Sequence, residues 1–136
     1  MEEKKIVLIV LIVDDEKEVR KLIMDYLNKQ GFLALQAENG RLALNIVTND
    51  IIPDLVITDL MMSVMGGLEL CRSIRCHQDH RIRSLPVIIL SGEEPEIHRP
   101  LVEKAGANLF LKKPVNLKEL RAEIKKLLGK KETSGV

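Results

Sequence analysis

Aromatic residues are almost missing from this chain. One Tyr, two Phe and no Trp amount to 2% of 136 residues. That leaves no stacking platform for single-stranded nucleic acid, and the core must be built from Leu, Ile, Val and Ala. A charge bias is missing as well. Twenty-one basic and 20 acidic residues give a net charge of +1, whereas a nucleic-acid binder should carry a basic excess clustered on one face. Only two cysteines occur, Cys71 and Cys76. Five apart on a predicted helix, they turn to different faces, so no local disulfide is expected. The run Cys76-His77-Gln78-Asp79-His80 matches no zinc spacing and reads as solvated loop. No signal peptide or membrane span is visible, because the apolar run at residues 6–13 is too short to cross a bilayer and acids follow it directly. A cytoplasmic location is expected.

What is present suits a globular domain. The chain is 46% hydrophobic and 30% charged, enough for a full core at the length of one ordinary domain. Residues 6–13 are continuously apolar with no alternation, the pattern of a central parallel strand covered on both faces. Further strands are predicted at residues 32–37, 55–59, 87–90 and 109–111. Between them, Val19, Leu22, Ile23, Tyr26 and Leu27 recur at helical spacing up to Gly31, a natural stop. Shorter helices are predicted at residues 42–48, 68–76 and 101–105, with a polar loop at 77–84. Asn116 caps the last helix in a capping box with Glu119. Leu117, Leu120, Ile124, Leu127 and Leu128 form its apolar stripe, and Gly129 is the expected end. Residues 1–129 read as one domain, frayed over 1–5, with a flexible tail at 130–136. Alternation at this spacing implies right-handed βαβ units, hence an α/β fold: a doubly wound five-stranded parallel sheet with helices on both faces.

Ligands of open parallel sheets bind at the carboxyl edge, and that is where the polar residues fall. Asp14 and Asp15 end the first strand, Asp59 the third, Ser91 the fourth and Lys113 the fifth. Each has an ordinary explanation. Asp15-x-x-Glu18 is itself a capping box, Ser91-Gly92 an ordinary turn, and Lys112-Lys113-Pro114 a solvated loop. Their shared edge favours a joint role. Two unit charges about 4 Å apart cost about 4 kcal/mol at an effective dielectric near 20. Three carboxylates together therefore need compensation. Lys113 supplies one positive charge, and a hard divalent cation, best Mg²⁺, supplies the rest. A cation, a lysine, a hydroxyl and a small residue (Gly92) describe a phosphoryl-transfer site, with Asp59 as nucleophile.

The ordered set Val13-Asp14-Asp15-Glu16, Asp54-Leu55-Val56-Ile57-Thr58-Asp59-Leu60-Met61-Met62, Gly66-Gly67, Leu90-Ser91-Gly92, Ala105-Gly106-Ala107 and Phe110-Leu111-Lys112-Lys113-Pro114 resembles the receiver domains of two-component response regulators. The resemblance spans about residues 6–128. It implies a flavodoxin-like sheet of strand order 2-1-3-4-5, as in chemotaxis regulators. It implies that Asp59 accepts a phosphoryl group from a phosphohistidine, that Asp14, Asp15, Asp59 and the main-chain carbonyl of Met61 hold Mg²⁺, and that Ser91 and Lys113 bind phosphoryl oxygens. Ser91 and Phe110 would form a switch pair. The implied partners are a sensor histidine kinase or histidine phosphotransfer protein, a downstream effector protein or domain, and a second copy in a phosphorylation-dependent homodimer. Neither nucleic acid nor membrane is an expected direct partner. Such a module catalyses only its own phosphorylation and dephosphorylation. A haloacid-dehalogenase-like phosphatase would instead need a second Asp two residues after the nucleophile, where this chain has Met61.

The chain departs from the family pattern at three places. Ser63 stands where proline is usual, and Gly66 where Asp is common. Two glycines and no proline are expected to loosen the loop after Asp59. Pro100 falls inside the segment that is normally the fourth helix of a receiver. An interior proline costs about 3 kcal/mol or more, so the reading predicts a short helix starting near Pro100, with residues 95–99 as loop.

Overall fold

The computed structural model describes residues 6–134, so the frayed start expected at residues 1–5 lies outside the described residues. Five strands, β1 (Ile9–Val13), β2 (Leu33–Ala37), β3 (Leu55–Asp59), β4 (Val87–Ser91) and β5 (Leu109–Lys112), form one parallel sheet in the order β2-β1-β3-β4-β5. The unbroken apolar runs follow from burial on both faces. Val10 and Ile12 of β1, Leu55 and Ile57 of β3, and Ile88 and Leu90 of β4 pack on one side. Leu11, Val13, Val56, Val87 and Ile89 pack on the other. Burying one such side chain contributes about 1.5–3 kcal/mol, so residues covered on both faces leave no polar alternation to read.

The first face is covered by α1 (Lys17–Lys29) and α6 (Leu117–Ser134), through Ile23, Leu27, Leu120, Ile124 and Leu128. The second is covered by α2 (Gly40–Asn45), which continues as a π turn over Ile46–Asp50, by α3 (Gly67–Arg75), α4 (His80–Arg83) and α5 (Pro95–Lys104). Asp54 sets the start of the central pairing. Its Oδ2 accepts from the Ile9 N–H at 2.7 Å, and its own N–H donates to the Ile9 carbonyl at 2.8 Å. Cys71 is buried and Cys76 exposed, both as free thiols.

Three expectations need correction. Residues 77–84 are not all loop. The Asp79 carboxylate accepts from the Arg81 N–H and starts α4, which buries Ile82. The helix through Pro100 is not short. It begins at Pro95, where a proline at the first helical position lacks only an N–H that would have been unpaired anyway. Pro100 then removes one bond, to the Glu96 carbonyl, and both residues are exposed, so water can take that carbonyl. Burial of Val102 and Ala105 anchors the other end. Finally, α6 passes Gly129 and runs to Ser134, so the expected tail at 130–136 is helical as far as described. Glycine stops a helix by taking a left-handed φ with returning hydrogen bonds. Gly31 (φ 93°) and Gly106 (φ 91°) do so, and Gly129 does not. Behind Gly31, the Phe32 N–H returns to the Leu27 carbonyl at 3.1 Å. The Asn116 side chain accepts from the Glu119 N–H at 3.0 Å, as expected of the cap.

Candidate functional site

Because β1, β3, β4 and β5 lie at the centre and one flank of the sheet, their carboxyl ends share one edge. Asp14 directly follows β1 and is buried, its N–H donating to the Ala37 carbonyl at 3.2 Å. Its Oδ1 accepts from the Glu16 N–H at 2.9 Å, and its Oδ2 accepts from Lys113 Nζ at 2.8 Å. Asp15 is exposed. It does not cap α1, because Glu16 is the capping position and makes no side-chain cap bond. Asp59, the last residue of β3, is buried at 8% exposure, with Leu60 tied behind it by an N–H bond to the Leu90 carbonyl at 2.9 Å. Ser91 ends β4 at 1% exposure, and its hydroxyl accepts from the Glu93 N–H at 3.0 Å. Lys113 is held at the backbone by its N–H bond to the Ser91 carbonyl at 2.7 Å. Its Nζ lies 2.8 Å from Asp14 and 3.4 Å from Asp59.

Ligating oxygens of Asp14, Asp15 and Asp59 lie within 4.8 Å of one another, the one such acidic group among the described residues. Burial pushes the Asp59 carboxyl above the usual carboxylate range. The charges of Asp14 and Asp15 push the same way, and Lys113 opposes them. For Lys113, burial alone would lower the pKa, but its hydrogen bond to Asp14 and the charges of Asp59 and Asp14 outweigh it, and the net shift is upward. Three carboxylates against one ammonium leave two negative charges unbalanced. An all-oxygen donor set with that deficit fits a hard divalent cation such as Mg²⁺.

The loop behind Asp59 is held at close quarters rather than left open by its glycines. A Cβ on Gly67 would stand 2.4 Å from the Asp59 carbonyl oxygen, and one on Gly40 would stand 2.3 Å from that of Met65. The Gly67 N–H donates to the Leu60 carbonyl, and the Gly40 N–H to the carbonyls of Val64 and Met65. Met61 projects its side chain into solvent, 63% exposed. Phe110 is buried on the α5 side of the sheet, with the Arg99 guanidinium 6.0 Å above its ring centroid. Beside it, Lys112 pairs with Glu94 at 2.7 Å.

The structure brings Asp14, Asp15, Asp59 and Lys113 together, and places Ser91 on the adjoining strand end. Sequence reasoning missed the residues that fix this frame. Arg20 of α1 donates through Nη1 to the Asp14 carbonyl at 2.7 Å and through Nε to Gln36 Oε1 at 2.9 Å. Arg75 of α3 donates to the carbonyls of Leu85 and Gly106 and to Asn108 Oδ1. In sequence each is one charged residue on a helix, and nothing local marks its backbone partner.

The family model described as the response regulator receiver domain matches residues 10–125. Response regulator MprA of Mycolicibacterium vanbaalenii is 36% identical over 119 residues, covering 88% of this chain and 49% of its own. The transcriptional regulatory protein CpxR of Escherichia coli is 34% identical over 125 residues, covering 92% and 51%. The chain thus spans about half the length of these curated relatives. Among solved structures, the chemotaxis protein CheY4 of Vibrio cholerae superposes with a TM-score of 0.83 at 27% identity, covering 90% of this chain and all of that one.

Proposed function

The chain belongs to the response regulator receiver domain family, whose general function is to accept a phosphoryl group, and from that premise we propose that Asp59 is the acceptor. The observation that carries this reading is the position of Lys113 Nζ, which follows β5 and is shared between Asp14 after β1 and Asp59 at the end of β3, on one carboxyl edge of the sheet. An ionised Asp59 oxygen attacks the phosphorus of a phosphohistidine. The new P–O bond forms as the P–N bond breaks, and the imidazole leaves with the electron pair. Lys113 offsets the charge of one phosphoryl oxygen, and the Ser91 O–H, which has no acceptor among the described residues, donates to another. Asp14, Asp15 and Asp59, with the main-chain carbonyl of Met61, would hold Mg²⁺, which when bound neutralises phosphoryl oxygens and so favours transfer. Release is the reverse in kind: water attacks phosphorus and returns the Asp59 carboxylate and inorganic phosphate. The chain catalyses these two steps on itself and turns over no external substrate.

Phe110 and Ser91 form the switch, the ring and hydroxyl adjusting to the phosphoryl group. A sensor histidine kinase or histidine phosphotransfer protein is the donor in the cytoplasm. An effector protein or domain, or a second phosphorylated copy, reads the face of α5, β5 and α6. Among the described residues no helix is long and apolar enough to cross a membrane.

The test is incubation with acetyl phosphate and Mg²⁺, followed by intact mass. The wild-type chain should gain one phosphoryl group and lose it slowly, and Asp59→Asn should gain none. Equal labelling of the Asn variant would show that another residue is the acceptor.

A further inference from the structure

The three acidic side chains are not held alike. The Asp14 carboxylate is fixed by the Glu16 N–H and Lys113, and that of Asp59 by Lys113. Among the described residues, no hydrogen bond or ion pair holds the exposed carboxylate of Asp15. What places it is the backbone, and specifically the peptide unit joining Asp14 to Asp15. The carbonyl of that unit accepts a 2.7 Å bond from Arg20 Nη1. The same guanidinium donates through Nε to Gln36 Oε1 on β2, at 2.9 Å. A planar fork held at two points cannot swing about its stem, so the peptide plane is clamped between α1 and β2. On its other side, the Asp14 N–H is fixed to the Ala37 carbonyl. The Arg20 charge bonds a carbonyl and not a carboxylate, so it leaves the acidic oxygens available for a cation.

We propose that Arg20 is a positioning residue for the cation site: by clamping the Asp14–Asp15 peptide against Gln36 it presents the otherwise unheld Asp15 carboxylate to Mg²⁺. This rests on the proposed function, in which that acidic set holds the cation. Partners that orient ligating groups without touching the metal typically change metal affinity by about 10–100-fold when removed. Arg20 acts one peptide away from Asp15, which places the expected loss near the lower end, about tenfold.

The experiment is an NMR titration of the full chain with MgCl₂, following amide shifts around Asp15. The samples are wild type, Arg20→Ala, Arg20→Lys and Gln36→Ala. Wild type should bind. Arg20→Ala should bind about tenfold more weakly. Arg20→Lys should fall between, since one ammonium can reach the carbonyl or Gln36 but cannot fork across both. Gln36→Ala, at an exposed strand position, keeps the fold even where the Arg20 variants do not, and should shift affinity the same way by less. With acetyl phosphate as donor, the Mg²⁺ concentration for half-maximal phosphorylation should rise while the rate at saturating Mg²⁺ recovers. A role limited to stability would lower Tm and leave both Mg²⁺ readings unchanged. Unaltered affinity in Arg20→Ala and Gln36→Ala, beside a wild type that binds, overturns this inference alone. A wild type that does not bind Mg²⁺ overturns the cation site itself, and this inference with it.

Discussion

Replacing Asp59 by Asn should make the metal-free protein more stable. The oxygens of Asp14, Asp15 and Asp59 lie within 4.8 Å of one another. At that separation and an effective dielectric near 20, each like-charge pair costs about 3.5 kcal/mol. Asp59 takes part in two such pairs, about 7 kcal/mol. Its attraction to Lys113 at 3.4 Å offsets about 5 kcal/mol on the same scale. The remaining 2 kcal/mol or so of repulsion is joined by the cost of desolvating a buried carboxylate, and is reduced by water around the exposed Asp15. A neutral isostere should therefore stabilise by about 1–2 kcal/mol, raising Tm by roughly 3–8 °C for a domain of this size. The pH dependence has a definite sign. Burial, then the Asp14 and Asp15 charges, raise the Asp59 pKa above the ordinary 3.8. The folded state thus holds the Asp59 proton more tightly than the unfolded chain does, and stability from this residue falls as pH rises through the window above 3.8. The advantage of the Asn variant should therefore grow as pH rises through that window and shrink as pH falls toward the ordinary carboxylate range. Mg²⁺ should stabilise wild type more than the variant and so close the gap from the other side. The assay is thermal or urea unfolding of both proteins in EDTA at pH 7 and pH 5, then with Mg²⁺ added. An Asn variant no more stable than wild type in EDTA at pH 7 would refute the claim that these carboxylates are in net repulsion.

Gly67→Ala should lose about 1–3 kcal/mol of stability by denaturant unfolding, because the new Cβ falls 2.4 Å from the Asp59 carbonyl oxygen, which is backbone and cannot swing aside. Its phosphorylation by acetyl phosphate should slow as well, since the displaced peptide carries the acceptor. Pro100→Ala should gain about 2 kcal/mol, the cost of an interior helix proline less the freedom it returns to the unfolded chain. Its acceptor chemistry should be unchanged, because Pro100 is exposed on α5 and is not among the strand-end residues.

Much of the candidate site is legible in the sequence because its signals are local. An apolar run covered on both faces reads as a buried strand, and a polar residue at its end marks where the strand leaves the core. Asp14, Asp59, Ser91 and Lys113 are each legible in that way, and the sheet order puts their strand ends on one edge. Gly31 and the Asn116 cap were legible for the same reason, since the helix bonds they make lie within a few residues.

What only the tertiary structure decided depends on partners remote in sequence or on which of two locally acceptable conformations packing selects. Lys113 and Asp14 are 99 residues apart, and Arg75 reaches Gly106 across 31. Arg20 and Gln36 look like surface residues until β2 is laid beside β1. Gly67 reads as flexibility in one dimension, but in three it is, like Gly40, a position where backbones approach too closely for a Cβ. Pro100 and Gly129 argue locally for helix ends, yet α5 and α6 continue through both. At Pro100 the buried Val102 and Ala105 and a solvated carbonyl outweigh one missing bond. At Gly129 no left-handed φ develops to turn the chain away. Sequence fixes what each residue would prefer by itself, while the fold decides which preferences are overruled, because the free energy of packing is shared among residues that sequence alone does not place side by side.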